Sequence, residues 1–197
     1  TYEEILYNGM INYETQDVYI ATEVQSYIKV PKIDTPKLLY VGRVKVEKGI
    51  FSLLDIFNRV KLNAELSIVG NTDKAKIEKN NNDKKINLIG YGFETSKLIN
   101  IYDDHNIFIL PSYTESHPQV VDEALARKRP VVIFEEIEHI IQNRIGVFIA
   151  KRNSQSLSDV IDFILKNYSK IQNDMEKNKL PTKEEFLTQM TSILEKN

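Results

Sequence analysis

Short apolar runs, several of them closed by glycine or opened by proline, alternate along this chain with stretches whose apolar residues recur every three or four positions. Lys37-Leu38-Leu39-Tyr40-Val41-Gly42 reads as a buried strand. Gly49 to Val60, with Ile50, Leu53, Leu54, Phe57 and Val60 at helical spacing, reads as the helix that follows it. Leu66 to Gly70 and Ile86 to Gly90 repeat the strand pattern, and Glu94 to Tyr102 predicts a helix with Leu98, Ile99 and Tyr102 on one side. Ile107 to Leu110 predicts a fourth strand, Pro118 to Arg127 a helix, Pro130 to Phe134 a fifth strand and Gly146 to Ile149 a sixth. From Leu157 the tail reads as helical, with Val160, Ile161, Ile164 and Leu165 in one stripe. Pro181 breaks it, and a last helix runs from Lys183 to Leu194. Asn71 to Lys85 is polar and Asn-rich; it reads as surface with a short helix near Ala75, its lysines forming a solvated face. Residues 1–36 form an entry segment. Ile5 to Gly9 fits a strand and turn there, and Asp17 to Val30 fits neither period clearly.

Uniformly apolar strands separated by helices predict an α/β fold, a mostly parallel sheet covered on both faces. The 197 residues suffice for one domain with a sizeable core. A 42% hydrophobic and 27% charged composition is ordinary for a globular chain. The net charge of −2 gives no pull toward nucleic acid, and no basic, aromatic-studded surface is evident, so nucleic acid is not an expected partner. The absence of cysteine excludes disulfides and thiolate metal sites. No apolar stretch approaches the ~18 residues that would span a bilayer. The chain opens at Thr1 without an initiator Met or signal peptide, and is expected to be a fragment of a longer protein.

Chemistry-bearing residues gather just after the strands, where open parallel sheets bind ligands. Gly42-Arg43-Val44-Lys45-Val46-Glu47-Lys48-Gly49 links the first strand to the first helix. Its two glycines let backbone approach a ligand, and Arg43 and Lys48 suit a diphosphate, though taken alone the loop reads more readily as a tight turn with exposed cations. Ser112-Tyr113-Thr114-Glu115-Ser116-His117-Pro118 follows the fourth strand. Here Ser116 is placed to cap the next helix, whose positive end would face the same anion. Glu115 and Glu123 stand eight positions apart. The second lies off the Val121 and Leu125 stripe and is expected to be free to face the cleft. Ionised carboxylates only accept hydrogen bonds, which suits a ligand rich in hydroxyls. Gly90-Tyr91-Gly92 offers backbone to a nucleobase edge or is a plain turn; it lacks the third glycine of a dinucleotide fingerprint. His117 is the one histidine in the expected cleft, with His105 and His139 read as surface or cap residues. No histidine pair has zinc-ligand spacing, and no P-loop or nucleophile elbow occurs.

Several of these motifs, in order, resemble the C-terminal domain of GT-B glycosyltransferases of the retaining family 4 type. The resemblance runs from Leu38 to Ala150 and rests on Leu39-Tyr40-Val41-Gly42-Arg43, Glu47-Lys48-Gly49, Leu66 to Gly70, Ile107 to Ser112, the Glu-x7-Glu segment and Ala126 to Val132. Asn8-Gly9 also resembles the Asn-Gly that precedes this domain in the family. The resemblance implies a Rossmann-like three-layer αβα sandwich, the C-terminal half of a GT-B fold. Residues 1–197 would form one donor-binding domain, with an entry segment (1–36), a core (37–180) and a C-terminal helix (181–197).

It also implies roles. Arg43 and Lys48 would bind and stabilise the leaving diphosphate, and Glu115 would contact the donor sugar. Glu123 would hold the ribose hydroxyls. Gly42 would approach the donor, and the backbone at Gly90 and Tyr91 would meet the base. Ser116, His117 and Pro118 would line the sugar and phosphate pocket. The expected reaction is transfer of a hexose from a UDP- or GDP-sugar, with retention, to a glycan or lipid-linked acceptor. No metal or other cofactor is expected. A GT-B phosphorylase or sugar-phosphate synthase, or a non-catalytic nucleotide-binding or partner-stabilising module, is the alternative. The acceptor domain lies outside this chain, so the chain alone is expected to transfer little. A bacterial, cytoplasmic protein is implied, at the inner face of the membrane, in polysaccharide or glycolipid synthesis. One departure concerns packing: Lys128 stands where the family usually has a small residue, often Gly.

Overall fold

The computed structural model of the chain describes residues 34–71, 85–90, 92, 95–180 and 183–195. The expectations for 1–33, for Asn8-Gly9, for the Ala75 helix and for Tyr91 lie outside the described residues.

Six parallel strands form one sheet in the order β3-β2-β1-β4-β5-β6. They are β1 (Lys37–Val41), β2 (Glu65–Val69), β3 (Lys85–Ile89), β4 (Ile107–Leu110), β5 (Val131–Phe134) and β6 (Val147–Ala150). The helices are α1 (Ile50–Arg59), α2 (Thr95–Asp103), α3 (Gln119–Ala126), α4 (Ser154–Lys166), α5 (Tyr168–Met175) and α6 (Lys183–Leu194). Parallel neighbours need crossover connections, and right-handed crossovers fix their side. The chain steps one way from β1 to β2 and the opposite way from β3 to β4 and β4 to β5, so α1 lies on one face and α2 and α3 on the other. α4 packs against α1 and β6. Every residue of β4 and β5 is buried, because helices cover both of their faces. This is why those strands read as unbroken apolar runs rather than alternating ones.

Two features escape the apolar pattern. The helical tail is two helices, broken at Asn167, where α5 begins with its backbone out of helical register. Between β5 and β6 lies a 3-10 helix, Glu135–Ile140, whose acidic sequence carries only Ile137 and Ile140 into the core. Below the α3–β5 turn, the buried guanidinium of Arg129 donates to the carbonyls of Tyr102 and Asp103, each at 3.0 Å. A cation there satisfies the last carbonyls of α2. Lys128 adopts φ +52°, the left-handed geometry at which glycine meets no steric cost, and holds it with an ion pair to Glu176 at 2.6 Å. Among the described residues, no helix is long and apolar enough to cross a membrane.

Candidate functional site

Strand order reverses between β1 and β4, so the loops leaving their carboxyl ends diverge and leave a crevice. A cavity of about 360 Å³ occupies it. Gly42, Arg43 and Lys48 line it from the first loop, and Glu115, His117, Pro118, Gln119 and Val120 from the second. Beside it, a largely apolar cavity of about 380 Å³ opens over the ends of β1 and β2, walled by Val41, Val69, Gly92 and Leu98. Gly42 and Arg43 belong to both walls, so the cavities adjoin.

The first loop is held by its own side chains. The Tyr40 hydroxyl donates to the Arg43 carbonyl at 2.8 Å. Burial, then the charge of Glu115, pushes that hydroxyl well above the usual tyrosine range, so it stays a donor. A 3-10 turn, Val46–Lys48, then ends on Gly49 at φ +66°. A Cβ on Gly49 would fall 1.9 Å from the Pro111 carbonyl oxygen. The sequence reading of this glycine is therefore corrected: the backbone it admits so closely is the end of β4, not a ligand. That contact brings the two loops together. Lys48 Nζ lies 2.7 Å from Glu115 Oε1, which also accepts from Ser112 Oγ at 2.6 Å. Tyr113 N donates to the Glu47 carbonyl at 3.1 Å.

Other expected residues are placed differently. Ser116 is exposed, does not line the cavity and does not cap α3; Pro118 occupies the N-cap, without a side-chain hydrogen bond. The cause is that Pro118 itself turns from extended to helical geometry, two residues later than a Ser116 cap requires. Gly90 is exposed and outside both linings. Glu123 is not free to face the cleft: it is 4% exposed and accepts from the Tyr102 hydroxyl at 2.6 Å. Facing off the Val121 stripe puts it against α2 rather than into solvent. It still sits one helical turn below the cleft-lining Gln119 and Val120. Burial first, and then neighbouring Asp122, raise its pKa against the Tyr102 hydrogen bond. His105 is buried, its Nδ1 2.6 Å from the Ile101 carbonyl at the end of α2, as a cap rather than a surface residue.

Two residues that the sequence did not single out, and one it read only as a surface or cap histidine, lie around or behind the cleft loops. His139, exposed, has Nε2 2.8 Å from the carbonyl oxygen of Glu115. Arg152 donates to the Pro111 and Ser112 carbonyls at 3.0 and 3.3 Å and grips Glu136 at 2.7 and 2.9 Å. Its guanidinium lies over the rings of Tyr113 and Phe134, 4.1 and 4.4 Å from their centroids. Asp122, fully buried, is gripped by Arg144 through both oxygens, at 2.6 and 3.1 Å. No spacing signal marks any of them, because each acts across a long sequence gap. Among the described residues no group of three His, Cys, Asp or Glu stands placed to hold a metal ion.

Residues 24–180 match the profile of the glycosyl transferases group 1 family. TuaC of Bacillus subtilis (strain 168), named for teichuronic acid biosynthesis, is 26% identical over 141 residues, 71% of this chain and 35% of its own length. The N,N'-diacetylbacillosaminyl-diphospho-undecaprenol alpha-1,3-N-acetylgalactosaminyltransferase of Campylobacter jejuni is 26% identical over 150 residues, 73% of this chain and 39% of its own. The chain thus spans well under half the length of either. Among solved structures, sucrose-phosphate synthase of Thermosynechococcus elongatus superposes with a TM-score of 0.68 at 20% identity, covering 84% of this chain and 46% of that one. Anabaena HepE, solved with UDP and glucose, superposes with a TM-score of 0.67 at 12% identity, covering 91% and 52%. The six-stranded parallel sheet is therefore the Rossmann-like α/β fold of GT-B structures.

Proposed function

This chain belongs to the glycosyl transferases group 1 family, and from its cleft we propose that it is the donor-binding half of a retaining, family 4 type glycosyltransferase using UDP- or GDP-sugar. The observation that carries the reading is the meeting of Lys48 and Glu115 at 2.7 Å, from two loops 67 positions apart, in a cavity that Arg43 also lines.

The diphosphate lies against Arg43 and Lys48, which meet its charge in a partly dry cleft. The glycosidic bond from the anomeric carbon to the terminal phosphate oxygen breaks, and its electron pair leaves on the diphosphate. The acceptor oxygen bonds to the same face of that carbon and passes its proton to the departing diphosphate oxygen, so configuration is retained. Charge on the leaving diphosphate grows along this path, so fixed cations help the transition state more than the ground state. Removing one such preorganised partner raises the barrier by ~3 kcal/mol. No metal enters this scheme. Glu115, paired with Lys48 and hydrogen-bonded by Ser112, keeps lone pairs for donor sugar hydroxyls. Glu123 lies in neither cavity wall, so in this reading it supports the ribose end of the cleft from beneath Gln119 and Val120, held there by the Tyr102 hydroxyl. The base fills the apolar slot over Val41, Val69 and Leu98. The acceptor, a glycan or lipid-linked sugar, comes on a second domain at the inner face of the membrane. The names of the Bacillus and Campylobacter relatives, one for teichuronic acid biosynthesis and one for transfer to a diphospho-undecaprenol-linked sugar, support a glycan or lipid-linked acceptor.

Calorimetric titration of UDP and GDP into the chain tests the assignment. One nucleotide should bind, and Lys48→Ala and Arg43→Ala should each weaken it roughly tenfold or more, as for a lost charge-assisted hydrogen bond. Equal affinity in wild type and both variants rejects it.

A further inference from the structure

Asp122 precedes Glu123 on α3 and points elsewhere, into a third cavity of about 480 Å³ that Arg144 and Asn178 also line. His117 lines both that cavity and the donor cleft, and so forms the partition between them. On the far side of the partition, Asp122 Oδ2 stands 3.3 Å from His117 Nε2. The approach is not aligned as a hydrogen bond, and buried Nε2 has no other partner among the described residues. The carboxylate is rigid: Arg144 holds both its oxygens, and Arg144 Nη1 is tied to the Ile140 carbonyl at 2.8 Å and to Gln142 Oε1 at 3.2 Å. Burial opposes the charge on Asp122, but His117 and Arg144 outweigh it and hold the carboxyl below the usual range. An ionised carboxylate can only accept. A bare lone pair on Nε2 would face it with like charge, so the ring nitrogen on that side carries the proton. The partner of one ring nitrogen sets what the other can do.

We propose that Asp122, clamped by Arg144, is a positioning residue that fixes the Nε2-protonated tautomer of His117 and leaves Nδ1 to accept a hydrogen bond from a hydroxyl of the donor sugar. This rests on the reading of the cleft as a nucleotide-sugar site. Asp122 touches no substrate in it; it decides which hydrogen-bonding face His117 offers, and thus favours donors with a hydroxyl at that place.

Long-range ¹⁵N–¹H NMR spectra of the ¹⁵N-labelled 197-residue chain, at a pH where the rings are neutral, read the tautomer directly. His117→Gln identifies the His117 signals. Wild type should show the proton on Nε2, and Asp122→Asn should move it to Nδ1 or mix the two forms. A proton on Nδ1 in wild type overturns the proposal without recourse to any variant, and so does an unchanged tautomer in a folded Asp122→Asn. Titration with UDP, GDP and their glucose conjugates is the second arm. Relative to the bare nucleotide, the conjugate should lose roughly three- to tenfold in affinity in Asp122→Asn, the worth of one hydrogen bond, while the nucleotide itself binds as in wild type. A conjugate that binds wild type and Asp122→Asn alike overturns the sugar contact. If no nucleotide binds wild type, the donor-site reading falls and takes the sugar contact with it, while the tautomer still decides what Asp122 does to His117.

Discussion

Replacing Gly49 by alanine isolates the contact that joins the two halves of the cleft. Two penalties act. At φ +66° a Cβ costs ~1–2 kcal/mol, less the ~0.4–1 kcal/mol that alanine returns by stiffening the unfolded chain. The second penalty is particular to this place: the new carbon would lie 1.9 Å from the Pro111 carbonyl oxygen and 2.8 Å from its carbon, both backbone atoms that cannot swing aside. Relieving that overlap means prising the Lys48 loop from the end of β4 by about an ångström, with the ~1–3 kcal/mol typical of overpacking. The sum is ~1–5 kcal/mol, or roughly 2–20 °C in Tm for a chain of this size. Gly92 supplies the control. Its φ is +77°, and among the described residues nothing lies within 4 Å of its would-be Cβ, so Gly92→Ala carries the conformational penalty alone. It should lower Tm by less than ~6 °C, and by less than Gly49→Ala does. Differential scanning calorimetry of both variants decides the matter, with UDP titration as a second readout, since Gly49→Ala also pulls Lys48 from Glu115. Equal Tm losses in the two variants would refute the close approach of the loops.

Glu123 and Arg152 give sharper readouts of their own. The raised pKa of Glu123 means that the native carboxyl keeps its proton above pH 4.5, where the unfolded one releases it. Stability is therefore lost as pH rises from about 4.5 through the folded value, and the loss persists at neutral pH. Glu123→Gln, which still accepts from Tyr102, should melt above wild type at pH 7, converge with it below pH 4.5, and bind UDP more weakly; a pH-independent difference in Tm would contradict this. Arg152→Lys keeps the charge but not the planar fork that spans Pro111, Ser112 and Glu136. It should cost roughly 2–3 kcal/mol in denaturant unfolding, and a variant as stable as wild type would remove Arg152 from the loop's support.

The chain's own pattern determined the layers. Each apolar run from Lys37 to Ile149 became a strand of one parallel sheet, and the helix between Gly49 and Val60 ends within a residue of its expected place. Burial on both faces forces such runs, so strand and helix periods survive as a local signal. Lys48 and Glu115 were legible as candidates because each follows a strand end, and the fold does unite them. What the sequence could not fix was direction. Whether Glu123 turned toward a cleft or toward Tyr102, whether Ser116 or Pro118 began α3, and whether Gly49 admitted a ligand or the end of β4 depended on the crossing of elements far apart in the chain. The contacts of Arg152, Arg144 and His139 were illegible for the same reason: Glu136, Asp122, Glu115, Pro111 and Ser52 lie 16 to 100 positions from them, and only packing brings such groups within hydrogen-bond reach. Hydrophobic period is written in neighbours along the chain, whereas a polar contact is a property of neighbours in space.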